Sequence, residues 1–328
     1  MKKIIILLFT LTLTILPSCS QVVKISANDA VALALKNNLA LQAKRKEIDI
    51  MKQEVKMADA LKNPQVQSNI LTGSIGKANS SQVGLALPVE IAKRGVRKKA
   101  AIANMRLVES QVRQAELDLK IKVMSAYFDV VYMKSVVAIL QQREELYKNM
   151  KVLAELKPKN SQNYEIEKLQ ADIRHKKQII LLNKAKANLL YAQFHLNDTL
   201  NLQDNSVMYD AREDSLFQEH ITLLDIDLPE YKVIEDVAMK FSYSIRIAED
   251  NIEKSQKELS VAKHKVIPDI TVAGGYAYSN DGKANGAFIG GFVDVPMLYT
   301  YRPEVNRAKI VYELSLIHIS EPTRPEPI

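Results

Sequence analysis

Residues 82–101 read QVGLALPVEIAKRGVRKKAA, and within this stretch the chain changes its period. Val83, Leu85, Leu87 and Val89 alternate with Gln82, Gly84 and Ala86, the period of two that marks a strand with one apolar face. From Ala92 the period becomes helical, and no proline follows until Pro158; the only glycine is Gly95, near the start. An apolar seam runs through Val108, Val112, Ala115, Leu119, Val123, Ala126, Val130, Met133, Val137 and Leu140. Its steps of four and three, with a stutter at Leu119 to Val123, are those of a coiled coil. A helix from Ala92 to about Leu156 would be roughly 95 Å long, more than a small globular core can cover.

Upstream of this stretch the chain turns back on itself. All ten glycines lie in two windows, Gly73–Gly95 and Gly274–Gly291. A chain this sparing with glycine, and without tryptophan, is not built like a compact α/β enzyme with its many βα turns. Each window reads as a β-hairpin, one over about 64–90 and one over about 268–297. In the second, Ile270, Val272, Gly274, Tyr276 and Tyr278 alternate, opposite Ala287, Ile289, Gly291, Val293 and Val295. The turns are polar, Gly76-Lys77-Ala78-Asn79-Ser80 and Asn280-Asp281-Gly282-Lys283. Strands of about ten residues have the length needed to cross a bilayer at a tilt.

The two windows belong to an internal repeat. Residues 28–64 align without gaps on 232–268, with Ala34/Ala238, Lys36/Lys240, Ile48/Ile252, Glu54/Glu258, Ala58/Ala262 and Pro64/Pro268 identical. Beyond the hairpins Pro88, Arg94 and Ala100 correspond to Pro296, Arg302 and Ala308. Repeat one thus covers 20–200, with its long helical hairpin over about 92–199. Repeat two covers 229–314 and is incomplete. Lys157-Pro158-Lys159-Asn160-Ser161 breaks the long helix, because proline lacks the amide donor and clashes with the preceding turn. The returning helix is expected to turn Leu169, Ile173, Ile180, Ala187, Leu190 and Phe194 inward. Residues 201–228 carry seven acids against one arginine and read as a linker, with Pro229 suited to the first turn of the next helix.

Residues 1–19 read as an export signal: Lys2 and Lys3, then the apolar run Ile4 to Leu16, too short to span a bilayer. No other segment is expected to span as a helix. Cys19, the only cysteine, excludes a disulfide framework and stands in Leu16-Pro17-Ser18-Cys19, where a bacterial lipoprotein signal places its lipidated residue. At the other end the helical pattern is expected to fail at about Leu314. Residues 315–328 read as a non-native tail, and the second helical hairpin is expected to be missing.

The formal charge of +7 invites a nucleic-acid reading. The basic residues alternate with acids along helices, as in Lys44-Arg45-Lys46-Glu47, so they mark solvated faces and no nucleic acid is expected. His175, His195, His220, His264 and His318 lack ligand spacing, and there is no phosphate loop or HExxH pair. No cofactor, metal or enzymatic activity is expected.

Four amphipathic strands cannot close a membrane barrel, whose smallest examples have eight, and open edges are not tolerated in lipid. Hairpins that enter a membrane must therefore be shared between chains, with the long helices bundled beyond them.

Over about residues 28–314 the chain resembles the TolC-like outer-membrane efflux protein family. The most specific element is Leu87–Ala101, similar to the family's hairpin-exit segment at Pro88, Glu90, Lys93, Arg94 and Arg97, with Ala92 where glycine is usual. Ala58–Pro64–Val66 and Ala262–Pro268–Ile270 resemble its hairpin entrances. The resemblance implies a mainly α protein with membrane β-hairpins, long antiparallel coiled-coil helices in two helix–β-hairpin–helix repeats, and four strands per chain in a trimeric twelve-stranded barrel. It implies a homotrimer in the outer membrane of a Gram-negative bacterium, in contact with outer-membrane lipid. A periplasmic helical part would dock to an adaptor protein and an inner-membrane pump, making the chain a passive conduit for small molecules or ions. Lys157, Pro158, Lys159, Asn160 and Ser161 correspond to the family's adaptor-contacting tip. Glu90 resembles the branch that exports heavy-metal cations. The basic cluster Lys93, Arg94, Arg97, Lys98 and Lys99 has two readings, a fastener of the strand-to-helix turn beside lipid head groups or a charged ring at the pore. Two other functions remain open: a periplasmic adaptor, and a coiled-coil outer-membrane lipoprotein without channel activity.

Overall fold

The computed structural model describes residues 21–71, 80–159, 163–200, 207–212, 229–279 and 285–320. The signal region with Cys19, both hairpin turns, and Asn160 and Ser161 of the tip lie outside them. The described residues fall into two compact units. One takes those up to Gln42 with those from Ala115 to Pro229; the other takes those from Ala43 to Gln114 with those from Glu230 onward.

In chain order the elements are β1 (Gln21–Ile25), α1 (Ala27–Asn37), α2 (Leu39–Asp59), β2 (Gln65–Leu71), β3 (Ser80–Val89), α3 (Lys93–Glu155) and α4 (Tyr164–Leu200). They continue with β4 (Val207–Ala211), α5 (Tyr231–Phe241), α6 (Tyr243–His264), β5 (Ile270–Ser279), β6 (Gly286–Val293) and α7 (Arg302–Ser320). Both expected hairpins form, and α3 is one continuous helix of 63 residues.

The helices before each hairpin are broken, which the sequence pattern did not announce. Asn38 is extended between α1 and α2 (φ −64°, ψ 112°), and Ser242 is extended between α5 and α6 (φ −66°, ψ 120°). Asn38 ends α1 with its amide on the Ala34 carbonyl (2.9 Å) and caps α2 by accepting from the Leu41 amide at 2.9 Å. The two breaks lie 204 residues apart, as do the positions that precede α1 and α5, Ser26 and Glu230.

In the first unit α3 and α4 pack as an antiparallel pair. Val123, Ala126, Val130 and Val137 of the expected α3 seam are buried, and Leu119, Met133 and Leu140 flank the core; Val112 of the same seam is buried in the second unit. The inward face of α4 is not the expected one. Leu169, Ile173, Ile180, Ala187, Leu190 and Phe194 are all exposed; Gln178, Leu182, Ala185, Ala192, Leu196 and Thr199 are buried, with Leu189 packed beside them. Both sets follow heptad spacing, so α4 has two apolar seams, and α3 occupies only one.

The expected linker over 201–228 contains a strand. β4 pairs in parallel with β1, Lys24 opposite Asp210, and the pair is clipped to the helices by buried polar groups. The Tyr127 hydroxyl donates to the Ile25 carbonyl (2.9 Å), Lys134 bonds Asp210 (2.8 Å) and the Ala211 carbonyl (2.6 Å), and the Asn197 amide holds both the N–H and C=O of Tyr209 (2.7 and 2.8 Å). Around it Ile25, Ala30, Ala34, Val123, Tyr127, Val130, Leu196, Leu200 and Ala211 form one core.

Helix α3 bears on the expectation of no further spanning helix, and α7 corrects one expectation. Part of α3 is apolar and long enough to cross a membrane by length and composition alone, and part of that stretch is buried against its neighbours. The seam of a long packed helix makes such a stretch without implying a span. Helix α7 runs to Ser320, past the expected failure at Leu314, because Ser315 to Ser320 contain no proline or glycine.

Candidate functional site

The four hairpin strands form a single antiparallel sheet in the order β2-β3-β5-β6, so the two hairpins are joined edge to edge through β3 and β5. The register fixes the faces. Val83, Leu85, Leu87 and Val89 lie opposite Tyr276, Gly274, Val272 and Ile270, and Val66 lies opposite Leu85. On β6, Ile289 and Val293 stand on this same face, opposite Gly274 and Ile270. The apolar side chains of this face are exposed, Ile289 to 86%. The other face carries Gln65, Gln67, Asn69, Gln82, Gly84, Ala86, Thr271, Ala273, Gly275 and Ala277 with Phe288 and Phe292, and here Ala86 and Ala273 are buried.

The Val, Leu, Ile and Tyr side chains of the sheet thus share one exposed face, and the two phenylalanines stand on the other. Burying apolar surface is worth about 25 cal/mol per Å², so a face with this many exposed Val, Leu, Ile and Tyr residues calls for an apolar surrounding. None of the four strands contains Asp, Glu, Lys or Arg. β2 and β6 are the edges of the sheet.

The charges begin where the strands end. Glu90, just after β3, is 6% exposed at its side chain and bonds Arg97 Nη1 at 2.9 Å, with Lys62 at 3.5 Å. Arg97 also donates to the Ala58 and Ala60 carbonyls (2.9 and 3.2 Å), which ties the first turns of α3 to the end of α2. Arg94 reaches the Asp59 carbonyl (2.7 Å) and carboxylate (3.0 Å), and Lys98 reaches the same carboxylate at 2.8 Å. Asp269, which precedes β5, takes Lys62 at 3.0 Å and Lys93 at 3.1 Å, so the entrance of hairpin two is fastened to both ends of hairpin one. Pro88 sits in β3 opposite Thr271. The hydrogen bond from Lys98, with the Arg94 charge, holds Asp59 below its ordinary pKa. At Asp269 burial opposes ionisation, and the bonds from Lys62 and Lys93 overcome it, so its pKa is also lowered. The bond to Asp269 raises Lys62. Lys62, Asp59 and Asp269 were not legible as partners of the exit motif, since no local spacing links them to it.

At the far end of the α3–α4 pair, Lys157 bonds Glu167 at 2.5 Å across the break, and Tyr164 is buried there. A shallow groove of about 320 Å³ beside it is lined by Tyr147, Met150, Leu153, Lys157, Glu167 and Arg174. Lys151 and Lys176 both bond Asp172, at 2.7 and 2.9 Å, and these two bonds lower its pKa to about 2. His175 pairs with Glu144 at 2.7 Å between α3 and α4. Among the described residues no group of three or more His, Cys, Asp or Glu is placed to hold a metal ion.

No protein-family model matches the sequence, and no curated protein does so. Solved structures do match in fold. The CmeC outer membrane channel of Campylobacter jejuni superposes with a TM-score of 0.66 at 16% identity, over 90% of this chain and 67% of that one. The MtrE outer membrane channel of Neisseria gonorrhoeae, in its open state, gives 0.67 at 15% identity over 90% and 69%. CusC, solved in conformations that accompany folding and transmembrane channel formation, gives 0.68 at 14% identity over 91% and 72%. The chain has the TolC-like fold of the outer-membrane efflux channels.

Proposed function

We propose that this chain is one subunit of a passive outer-membrane export channel, in which three copies close their four-stranded sheets into a twelve-stranded barrel. The observation that carries the reading is the sheet itself, with an exposed face of Val, Leu, Ile and Tyr, an opposite face of amides and small residues with two phenylalanines, uncharged strands and two edges. Lipid accepts the first face and water in a lumen the second. Lipid also forbids the edges, and β6 of one copy beside β2 of the next removes them. Similar fold to solved outer-membrane channels supports the same reading.

The helices fit it too. The second seam of α4, Leu169 to Phe194, gives a second neighbour a surface to pack on, as a closed ring of helices requires. The equal spacing of helix starts and breaks, 204 residues apart, supports descent of the two hairpin-bearing segments from one duplicated unit. In this reading the charged collar fastens the strand-to-helix turns at the membrane edge rather than lining the pore, because Lys93, Arg94, Arg97 and Lys98 are engaged by Asp59, Glu90 and Asp269, while Lys99 is exposed. The tip at Lys157 to Ser161 is the contact for a periplasmic adaptor, through which an inner-membrane pump delivers cargo. Cys19 is the site of lipid attachment.

Reconstitution into planar bilayers tests the function, with stepwise conductance as the expected result. Cysteine pairs placed on β2 and β6 should form disulfide-linked oligomers up to the trimer. A chain that is released from cells without detergent, stays monomeric and passes no current overturns the reading. Mass spectrometry of the mature N-terminus checks Cys19, and photocrosslinking from position 159 checks the adaptor contact; an unmodified cysteine or a blank crosslink removes each claim separately.

A further inference from the structure

The second face of the sheet, opposite the exposed Val, Leu, Ile and Tyr side chains, is not uniform. Its β2–β3 side offers neutral amides, Gln65, Gln67, Asn69 and Gln82; its β6 side offers two aromatic rings, Phe288 and Phe292. Gly84, Gly275 and Phe288 stand in one line across three strands. A methyl group on Gly84 would come within 2.9 Å of Phe288 Cζ and 2.8 Å of the Gly274 carbonyl oxygen. One on Gly275 would come within 2.9 Å of Phe288 Cε1 and 2.5 Å of Gly84 Cα, and would strike the Val83 carbonyl oxygen. The two glycines therefore form a notch, and the outer edge of the Phe288 ring is seated in it. Phe292, four residues on, is on the same face and 53% exposed, while a methyl group on Gly290 between them would meet nothing within 4 Å.

Resting on the channel reading above, in which this face lines the lumen, we propose that Phe288 and Phe292 form an aromatic contact strip in the channel wall that takes planar aromatic solutes. The strands bear no charge with which to hold a bare ion. What this part of the wall presents is ring surface, one ring held down by the glycine notch and one free, with open space at Gly290 between. Ring faces attract other rings in offset or edge-on arrangements and attract organic cations through the π quadrupole. Closure of three copies would repeat the strip three times around the lumen, each bordered by the next copy's amides.

The test is block of the potassium current through the reconstituted full chain. The probes are ethidium, a planar aromatic cation, and tetraethylammonium, which carries the same charge without a ring. Block is normalised to each variant's own potassium current. Ethidium should block the native channel at concentrations where tetraethylammonium does not, and the double variant Phe288→Leu/Phe292→Leu should raise the half-blocking concentration about fivefold, the scale of a lost aromatic contact. Phe292→Tyr, which keeps a ring, should keep the block. Equal block of native and double-variant channels overturns the proposal, as does equal block by the two probes. If the double variant forms no channel, Phe292→Leu alone decides, and unchanged ethidium block there overturns the strip. A native chain that passes no current at all refutes the channel reading beneath it, a result separable from every outcome above.

Discussion

Helices α1 and α5 occupy corresponding places, each eleven residues long, each ending at an extended residue, and each followed by the helix that leads into a hairpin. They share Ala34/Ala238 and Lys36/Lys240. Their surroundings differ completely. α1 starts from a capping box, Ser26 with Asp29, and buries Ala30 and Ala34 in the core made by β1, α3, α4 and β4. α5 starts at Glu230 without a side-chain cap and buries no residue, leaving Ile234, Val237 and Phe241 exposed. The same amphipathic pattern is core in one place and surface in the other, because burial belongs to the neighbour and not to the helix.

A matched pair of substitutions would break that comparison if it is wrong. Ala34→Asp places an unpaired charge at a position with no solvent exposure and should cost about 3–5 kcal/mol of stability, read by denaturant unfolding in detergent. Ala238→Asp, on an exposed helix surface, should stay within about 0.5 kcal/mol. Equal effects would mean that α5 is as covered as α1.

The two hairpin exits sharpen the contrast. Hairpin one leaves through Glu90, buried against Arg97; hairpin two leaves through the exposed Asp294 and the exposed loop residues Met297 and Leu298. Glu90→Ala removes hydrogen bonds to a charged group and should cost about 1.5–3 kcal/mol, while Asp294→Ala should be nearly silent in the same unfolding assay.

Acid separates the regions next. Asp59 and Asp269 have folded pKa values below 3.8, so they contribute stability that is fully present above that value and is lost as pH falls through the lowered ones. An acid titration followed by limited proteolysis should therefore open the hairpin exits below about pH 4. Asp59→Asn should weaken that dependence. At the α3–α4 end Asp172 stays ionised down to about 2, so its pairs with Lys151 and Lys176 outlast the ordinary aspartate range. The smallest effect is expected from Asp172→Asn, whose partners are surface lysines; it should move the acid response of that end and barely change the unfolding midpoint at pH 7.

What the sequence disclosed follows the same division. The hairpins were legible because alternation over ten residues and clustered glycine leave little else for those segments to be, and α3 because its seam runs for nine turns. The breaks at Asn38 and Ser242 were not, since neither has a proline or glycine beside it and a capping amide looks like any polar residue. β1 and β4 are five residues each, too short for a period to show. The inner face of α4 was misassigned because both of its seams are apolar at heptad spacing, and only the position of α3 chooses between them. Among site residues the exit motif was found by its local pattern, whereas Asp269 and Lys62 meet it only through the pairing of β3 with β5.

In the proposed three-copy channel, the unfinished margins at β2 and β6 carry a consequence for the life of a newly exported copy. Until it meets its siblings it offers greasy ribbons with free backbone donors and acceptors at both sides, the recipe for sticking to any extended chain nearby. Assembly and insertion must therefore outrun misdocking. Escort by a periplasmic chaperone would matter most before the ring closes, and overproduction should aggregate the protein well before it saturates the membrane.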